Sequence, residues 1–206
     1  FARVHLEGEP VALVPGDRFI ARGFAATTQG GATLGGGEIL DIAPPHRRRS
    51  DPELLAELQI LAGGDLERGA LVRVQRAGFA GCSDRLLARE LGLTVPELCP
   101  ALEALQQRGL ALCARGGFWI GAQALAELAA RLLAALDAFH AAEPLLPGMS
   151  VGALRGALPP NAPREIADLA LSGLAARAEL ALEGEIARRP GFAPQLAPEQ
   201  ALLVSS

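Results

Sequence analysis

Leu105-Gln106-Gln107-Arg108-Gly109 and, 69 residues further on, Leu174-Ala175-Ala176-Arg177-Ala178 hold the same place in two successive runs of pattern. Each pentapeptide closes a stretch of apolar residues at near-helical spacing: Leu98, Leu102 and Leu105 in the first, Ile166, Leu169 and Leu174 in the second. Two short apolar runs around a turn follow each. In the first they are Leu110 to Cys113 and Phe118 to Ile120, around Arg115-Gly116-Gly117. In the second they are Leu180 to Leu182 and Ile186 to Arg188, around Glu183-Gly184. A helical period that gives way to strand-sized runs predicts a helix followed by a β-hairpin.

More helices are expected ahead of each pentapeptide. Leu54, Leu55, Leu58 and Leu61 share one helical face, stopped by Gly63-Gly64. A second helix is predicted over Leu66 to Arg76 with Leu66, Ala70 and Val74 inward, although Leu71-Val72-Arg73-Val74 also fits a strand. Ser83 is a candidate cap for a third, with Leu86, Leu87 and Leu91 inward and Gly92 as a left-handed stop. Thr94 and Glu97 have capping-box spacing, yet Pro100 removes a backbone donor, so that helix is expected to kink or to start nearer Cys99. In the second run Leu125, Leu128, Leu132, Leu133, Leu136 and Phe139 form a long stripe ended by Pro144. A shorter helix starts at Ser150, and Pro163 is placed as a first-turn proline for the next. Three helices plus a hairpin, repeated over 46–121 and 122–192, predict two tandem winged-helix modules. Ala197 to Leu203 reads as the opening turn of a further helix, making 193–206 the start of another module.

Residues 1–45 differ in kind. They are rich in Gly and Pro, and four strands are predicted at Val4–Leu6, Val11–Val14, Phe19–Ala21 and Ile39–Ile42. Four short strands do not close a sheet, so further strands are expected ahead of Phe1. The sole methionine is Met149, and the chain is expected to be a piece of a longer protein at both ends.

Composition narrows the function classes. Of 206 residues, 40 are Ala and 36 are Leu, which favours helix, and the net charge is −4. No apolar stretch approaches the ~20 residues of a membrane helix, and no leader is visible. Cys82, Cys99 and Cys113 show neither CxxC nor paired-His spacing, so disulfide and zinc readings fail and a reducing cytoplasm is expected. All three are expected to act as small apolar core residues. Gly35-Gly36-Gly37 is no phosphate loop, because the chain has no Lys and a strand-like run follows; a structural turn or bulge is expected. His5, His46 and His140 lie in three separate segments without GxSxG or HExxH, so no catalytic site, cofactor or metal is expected in this chain. His140, in the last turn of the long helix, suits a packing role or a partial positive charge there.

Nucleic-acid binding is the serious candidate, since winged helices often place their third helix in a groove. The first such helix carries Glu97 and Glu103 against Arg108, the second Arg164 and Arg177 against Glu165 and Asp168. Formal charge is +1 over 1–50, −2 over 51–121 and −3 over 122–206. Backbone-driven affinity needs several free cations, so neither module is expected to read DNA, and a winged-helix transcription regulator is the alternative function. Arg47, Arg48 and Arg49 form the one compact basic cluster, either a solvated linker or a contact to RNA or the ribosome.

Gly16-Asp17-Arg18-Phe19-Ile20-Ala21-Arg22 and Thr33-Leu34-Gly35-Gly36-Gly37-Glu38-Ile39-Leu40-Asp41 resemble the end of the last β-barrel domain of elongation factor Tu-like translational GTPases. Phe139-His140-Ala141-Ala142-Glu143-Pro144-Leu145-Leu146-Pro147-Gly148-Met149 is similar to a segment of the bacterial selenocysteine-specific elongation factor, in which a barrel precedes tandem winged helices. The resemblance implies a mixed, mainly α fold: a partial antiparallel β-barrel segment at 1–45 followed by two winged-helix modules. It further implies a parent that binds GTP and Mg, carries selenocysteinyl-tRNA to the ribosome in the cytoplasm and recognises an mRNA hairpin. This chain, lacking GxxxxGK[ST], would serve there as a non-catalytic spacer with weak or no direct nucleic-acid binding.

Overall fold

The computed structural model describes residues 1–9, 11–23, 32–48 and 51–194. In chain order the elements are β1 (Arg18–Gly23), β2 (Ala32–Glu38), α1 (Pro52–Ala62), α2 (Leu66–Ala77), a 3-10 turn (Gly78–Ala80), β3 (Cys82–Ser83), α3 (Asp84–Leu91), α4 (Val95–Gln107), β4 (Ala111–Ala114) and β5 (Phe118–Gly121). There follow α5 (Ala122–Ala142), β6 (Met149–Ser150), α6 (Val151–Gly156), α7 (Arg164–Ala176), β7 (Ala181–Glu183) and β8 (Ile186–Arg188). Two sets have the same order: α2-β3-α3-α4-β4-β5 and α5-β6-α6-α7-β7-β8. Their three-stranded sheets share a topology, β3-β5-β4 and β6-β8-β7.

The sequence reading missed β3 and β6 because two residues carry no periodicity; they are strands only because β5 and β8 pair with them. Each ends in a serine that caps the next helix: Leu86 N–H donates to Ser83 Oγ and Ala153 N–H to Ser150 Oγ, both at 3.2 Å. Helix α1 precedes the first set and has no buried residue, so its leucine face is not part of a core as expected. Pro163 caps α7 instead of entering its first turn. Pro100 lies inside α4 and does not delay its start. The helix starts at Val95 on a Thr94–Glu97 capping box, and Pro96, whose carbonyl the Pro100 ring cannot serve, is exposed to solvent.

The first segment departs most from expectation. Val4–Leu6, Val11–Val14 and Ile39–Ile42 form no strands, and the described residues before α1 hold a two-stranded antiparallel pair, not a closed barrel. The glycine run is itself strand: Gly35, Gly36 and Gly37 pair with Ala21, Ile20 and Phe19. Glycine is required there, since a Cβ on Gly36 would lie 2.6 Å from the Phe19 carbonyl oxygen. The expected bulge sits beside it, where Ala21 faces Gly35 and Arg22 faces Thr33, leaving Leu34 unpaired. Ala197–Leu203, read as a further helix, lies outside the described residues.

The apolar core has two parts. Ala70, Val74, Leu87, Leu98, Leu102, Leu105 and Trp119 fill the first set. Leu128, Leu132, Leu136, Leu154, Ile166, Leu171 and Leu174 fill the second, joined by Ala114 and Ile120 of the first hairpin. Neighbours in a strand face opposite ways, so β5 puts Trp119 into one core and Ile120 into the other. Helix α5 follows β5 with no linker, capped by Gly121. The contact is close: a Cβ on Gly81 (φ +60°) would lie 2.8 Å from the Trp119 carbonyl oxygen and 3.2 Å from Ile166 Cδ1.

The repeated pentapeptides end α4 and α7 in one hydrogen-bond pattern. Leu110 N–H donates to the Leu105 carbonyl (2.9 Å) and Gly109 N–H to Gln106 (2.9 Å). Likewise Glu179 N–H donates to Leu174 (3.0 Å) and Ala178 N–H to Ala175 (3.0 Å). Both pivot residues are left-handed, Gly109 at φ +66° and Ala178 at φ +55°. A side chain there costs about 1 kcal/mol. Ala178→Gly should therefore raise, and Gly109→Ala lower, the stability of the full chain by up to about 1 kcal/mol in urea unfolding. Equal midpoints for both variants would contradict the shared cap.

Candidate nucleic-acid interface

The exposed face of α4 consists of Pro96, Glu97, Cys99, Pro100, Glu103, Gln106 and Gln107, without a cation. Arg108, just past its end, pairs with Glu67. On the second unit the arginines are engaged internally. Arg155 donates twice to Asp168 (2.9 and 2.6 Å), and Arg164 lies 3.7 Å from the same carboxylate. Arg177 pairs with Glu179, Arg188 with Glu183, and Arg189 grips Asp137 at 2.6 and 2.7 Å. The remaining one, Arg131, sits 5.1 Å over the Phe79 ring. An arginine already paired must give up its partner before it can neutralise a phosphate. On the first unit Arg68, Arg85, Arg89 and Arg115 are exposed and have no carboxylate partner among the described residues, but none lies on α4.

Of the basic run Arg47, Arg48 and Arg49, the structure describes the first two. Arg47 turns toward acids of α1 and its cap, 3.8 Å from Asp51, 3.2 Å from Glu53 and 3.5 Å from Glu57. Arg48 is exposed, and Arg49 lies outside the described residues.

A polar cluster that sequence reasoning missed lies nearby. Asp41 accepts from Arg73 Nη1 and Arg76 Nη1, both at 2.6 Å, and Arg76 Nε donates to Glu57 at 2.7 Å. Arg73 is 3 % exposed and also lies 3.7 Å from Glu90. Burial pushes the Asp41 carboxyl up, but the two guanidiniums outweigh it and hold the carboxyl below its ordinary value. The partners are 32 and 35 residues apart in sequence, so no local pattern joins them. The one hint is an arginine between Val72 and Val74 on an otherwise apolar stretch.

His140 is buried in the last turn of α5, where it packs instead of bearing charge. Its Nε2 accepts from Arg189 N–H at 3.2 Å and its ring stacks on Phe192 at 3.6 Å. The bond fixes the neutral form with the proton on Nδ1. Burial pushes its pKa down; Asp137 opposes this and Arg189 adds to it. The cysteines divide: Cys82 is buried, its thiol pushed up to about 12 by burial and by Glu90; Cys113 is half-buried; Cys99 is exposed on α4, against expectation. Among the described residues no three His, Cys, Asp or Glu side chains are grouped to hold a metal, and no helix is long and apolar enough to cross a membrane. The glycine run is paired as strand β2 and does not lead into a helix N-terminus, the setting in which glycines cradle a phosphate.

Helix, short strand, two helices and a hairpin, with the short strand paired to the last strand, define the unit from α5 to β8 as a winged helix. Residues 133–188, from within α5 to the end of β8, match the family described as elongation factor SelB, winged helix. No curated protein matches the chain.

His140 makes this unit sensitive to acid. Its folded pKa lies below the ordinary value near 6.5, so the unfolded chain takes the proton first. The contribution is therefore fully present above that value and is lost as pH falls through it toward the folded pKa. Melting of the wild type should drop between pH 7.5 and 5.5, and His140→Phe, which keeps a ring on Phe192 but binds no proton, should show a smaller drop. Equal drops would remove His140 from this role.

Proposed function

We propose that the chain is part of a selenocysteine-specific translation elongation factor. In this reading it connects a GTPase body carrying selenocysteinyl-tRNA to modules that recognise an mRNA hairpin on the ribosome. The observation that carries the proposal is the family match over 133–188, which includes the whole motif from Phe139 to Met149. The first set, α2 to β5, is read as a winged-helix module of the same kind from its identical element order and sheet topology. The β1–β2 pair is read as the end of a translation-factor barrel. GTP and Mg belong to the parent, and the cytoplasm is its compartment.

A connector must hold a distance, and the joint between the two units suits that task. The units share β5 as a common wall and have no linker between them, so they move together. The internally paired arginines of the second unit favour a spacer over a groove reader.

Inserting Gly-Ser-Gly-Ser between Gly121 and Ala122 in the full-length protein should loosen this spacing. Selenocysteine incorporation at a reporter UGA codon should fall by at least about tenfold, with GTP hydrolysis and tRNA binding unchanged. Wild-type incorporation would refute the spacer role, and failure of the uninserted protein to retain selenocysteinyl-tRNA would refute the family reading. Duplex DNA should not be retained in a low-salt gel shift; salt-sensitive retention would favour the transcription-regulator alternative.

A further inference from the structure

The two joints of this chain differ in chemistry. Between the helical units the joint is apolar, with Ala114 and Ile120 inside the second core. Between the β1–β2 pair and the first unit it is ionic, since among the described residues ahead of Ala70 none is a buried apolar residue. Besides Asp41, two further contacts of that side are polar or backbone in kind. Pro15 lies against Gly92, where a Cβ would come within 3.2 Å of its carbonyl oxygen, and Arg3 donates to the Pro44 and Pro45 carbonyls within its own segment.

We propose that Asp41 is an ionic latch: its bonds to Arg73 and Arg76 hold the β1–β2 pair on α2, and their release lets the pair swing as a body about residues 42–48. The network is built so that only Asp41 has to leave. Arg76 keeps Glu57 of α1 at 2.7 Å, and Arg73 keeps Glu90 of α3, through its carboxylate at 3.7 Å and its backbone carbonyl at 3.4 Å. Neither guanidinium is therefore left as an uncompensated buried charge, which is the usual cost of breaking such a pair. Arg47 of the connecting segment also faces Glu57, at 3.5 Å, and Ala43 N–H donates to Asp41 at 3.0 Å. On release Asp41 exchanges two arginines for water. Buried ion pairs lie close to balance between desolvation and attraction, so closed and open states are near in free energy. Arg73 Nε and Arg76 Nη2 have no partner even when closed, so the network does not over-determine that state. The apolar joint has no comparable escape, because opening it would expose Ile120 and Ala114. A chain of this design bends at one place.

The test uses the full chain with Cys82 and Cys113 replaced by Ala, a spin label on the exposed Cys99 and a second on Arg18→Cys. The distance distribution should be narrow in this background, broad when Asp41→Asn is added, and narrow again with Asp41→Glu. Amide protection over 95–121 and 151–188 should stay unchanged within about threefold, while protection over 39–48 falls by at least about tenfold. In the background protein, lowering the pH through the depressed Asp41 range should broaden the distribution before the helical units lose protection. A distribution equally narrow with Asp41→Asn would overturn the latch. So would an equal loss of protection across 95–121, which would make Asp41 part of the folding core instead of a joint. If Asp41→Asn does not fold, the pH series decides by the same criteria.

Discussion

Strand β5 is the constraint on which the helical body depends. It is four residues long, pairs with both β3 and β4, and puts Trp119 and Ile120 into different cores because successive side chains leave a strand on opposite faces. The wing of one unit thereby becomes a wall of the next. With α5 beginning at once after Gly121, the second unit has no freedom to reorient without exposing Ile120. Two units of the same element order and sheet topology thus share one strand as a common wall.

Charge on the second unit is largely paired within it. The arginines of the second unit are spent on Asp168, Glu179, Glu183 and Asp137, or lie on Phe79, which leaves that unit's surface without a cationic track. Arg47, which stands in the most basic run of the chain, faces Asp51, Glu53 and Glu57. Charge runs are a poor guide to charged surfaces, because a long guanidinium side chain takes the nearest carboxylate that the fold presents to it.

The proposed latch places any bending at the start of the helical body. Among the described residues the β1–β2 pair contributes no buried residue to the apolar core, and Asp41, just after it, is shared by two arginines of α2. The contrast with the Ile120 joint is one of solvent. An apolar contact loses free energy steadily as it opens, whereas an ion pair regains hydration on both charges.

Local rules made much of this legible in advance. Caps at Ser83 and Thr94, the left-handed stop at Gly92, the helix start at Ser150 and the hairpins after each pentapeptide depend on residues within a few positions of one another, so they can be read from spacing alone. The same holds for the repeat and for the absence of lysine, which disposed of a phosphate loop. The sequence by itself therefore determined most of the helices and where they stop, while leaving Leu71 to Val74 open between helix and strand. Tertiary structure alone decided that the glycine run is a strand, that β3 and β6 exist, that the leucines of α1 stay out of the core, and that Asp41 meets Arg73 and Arg76. Each of those depends on a partner tens of residues away or on a backbone approach that only glycine permits, and no periodicity within one segment encodes the position of another.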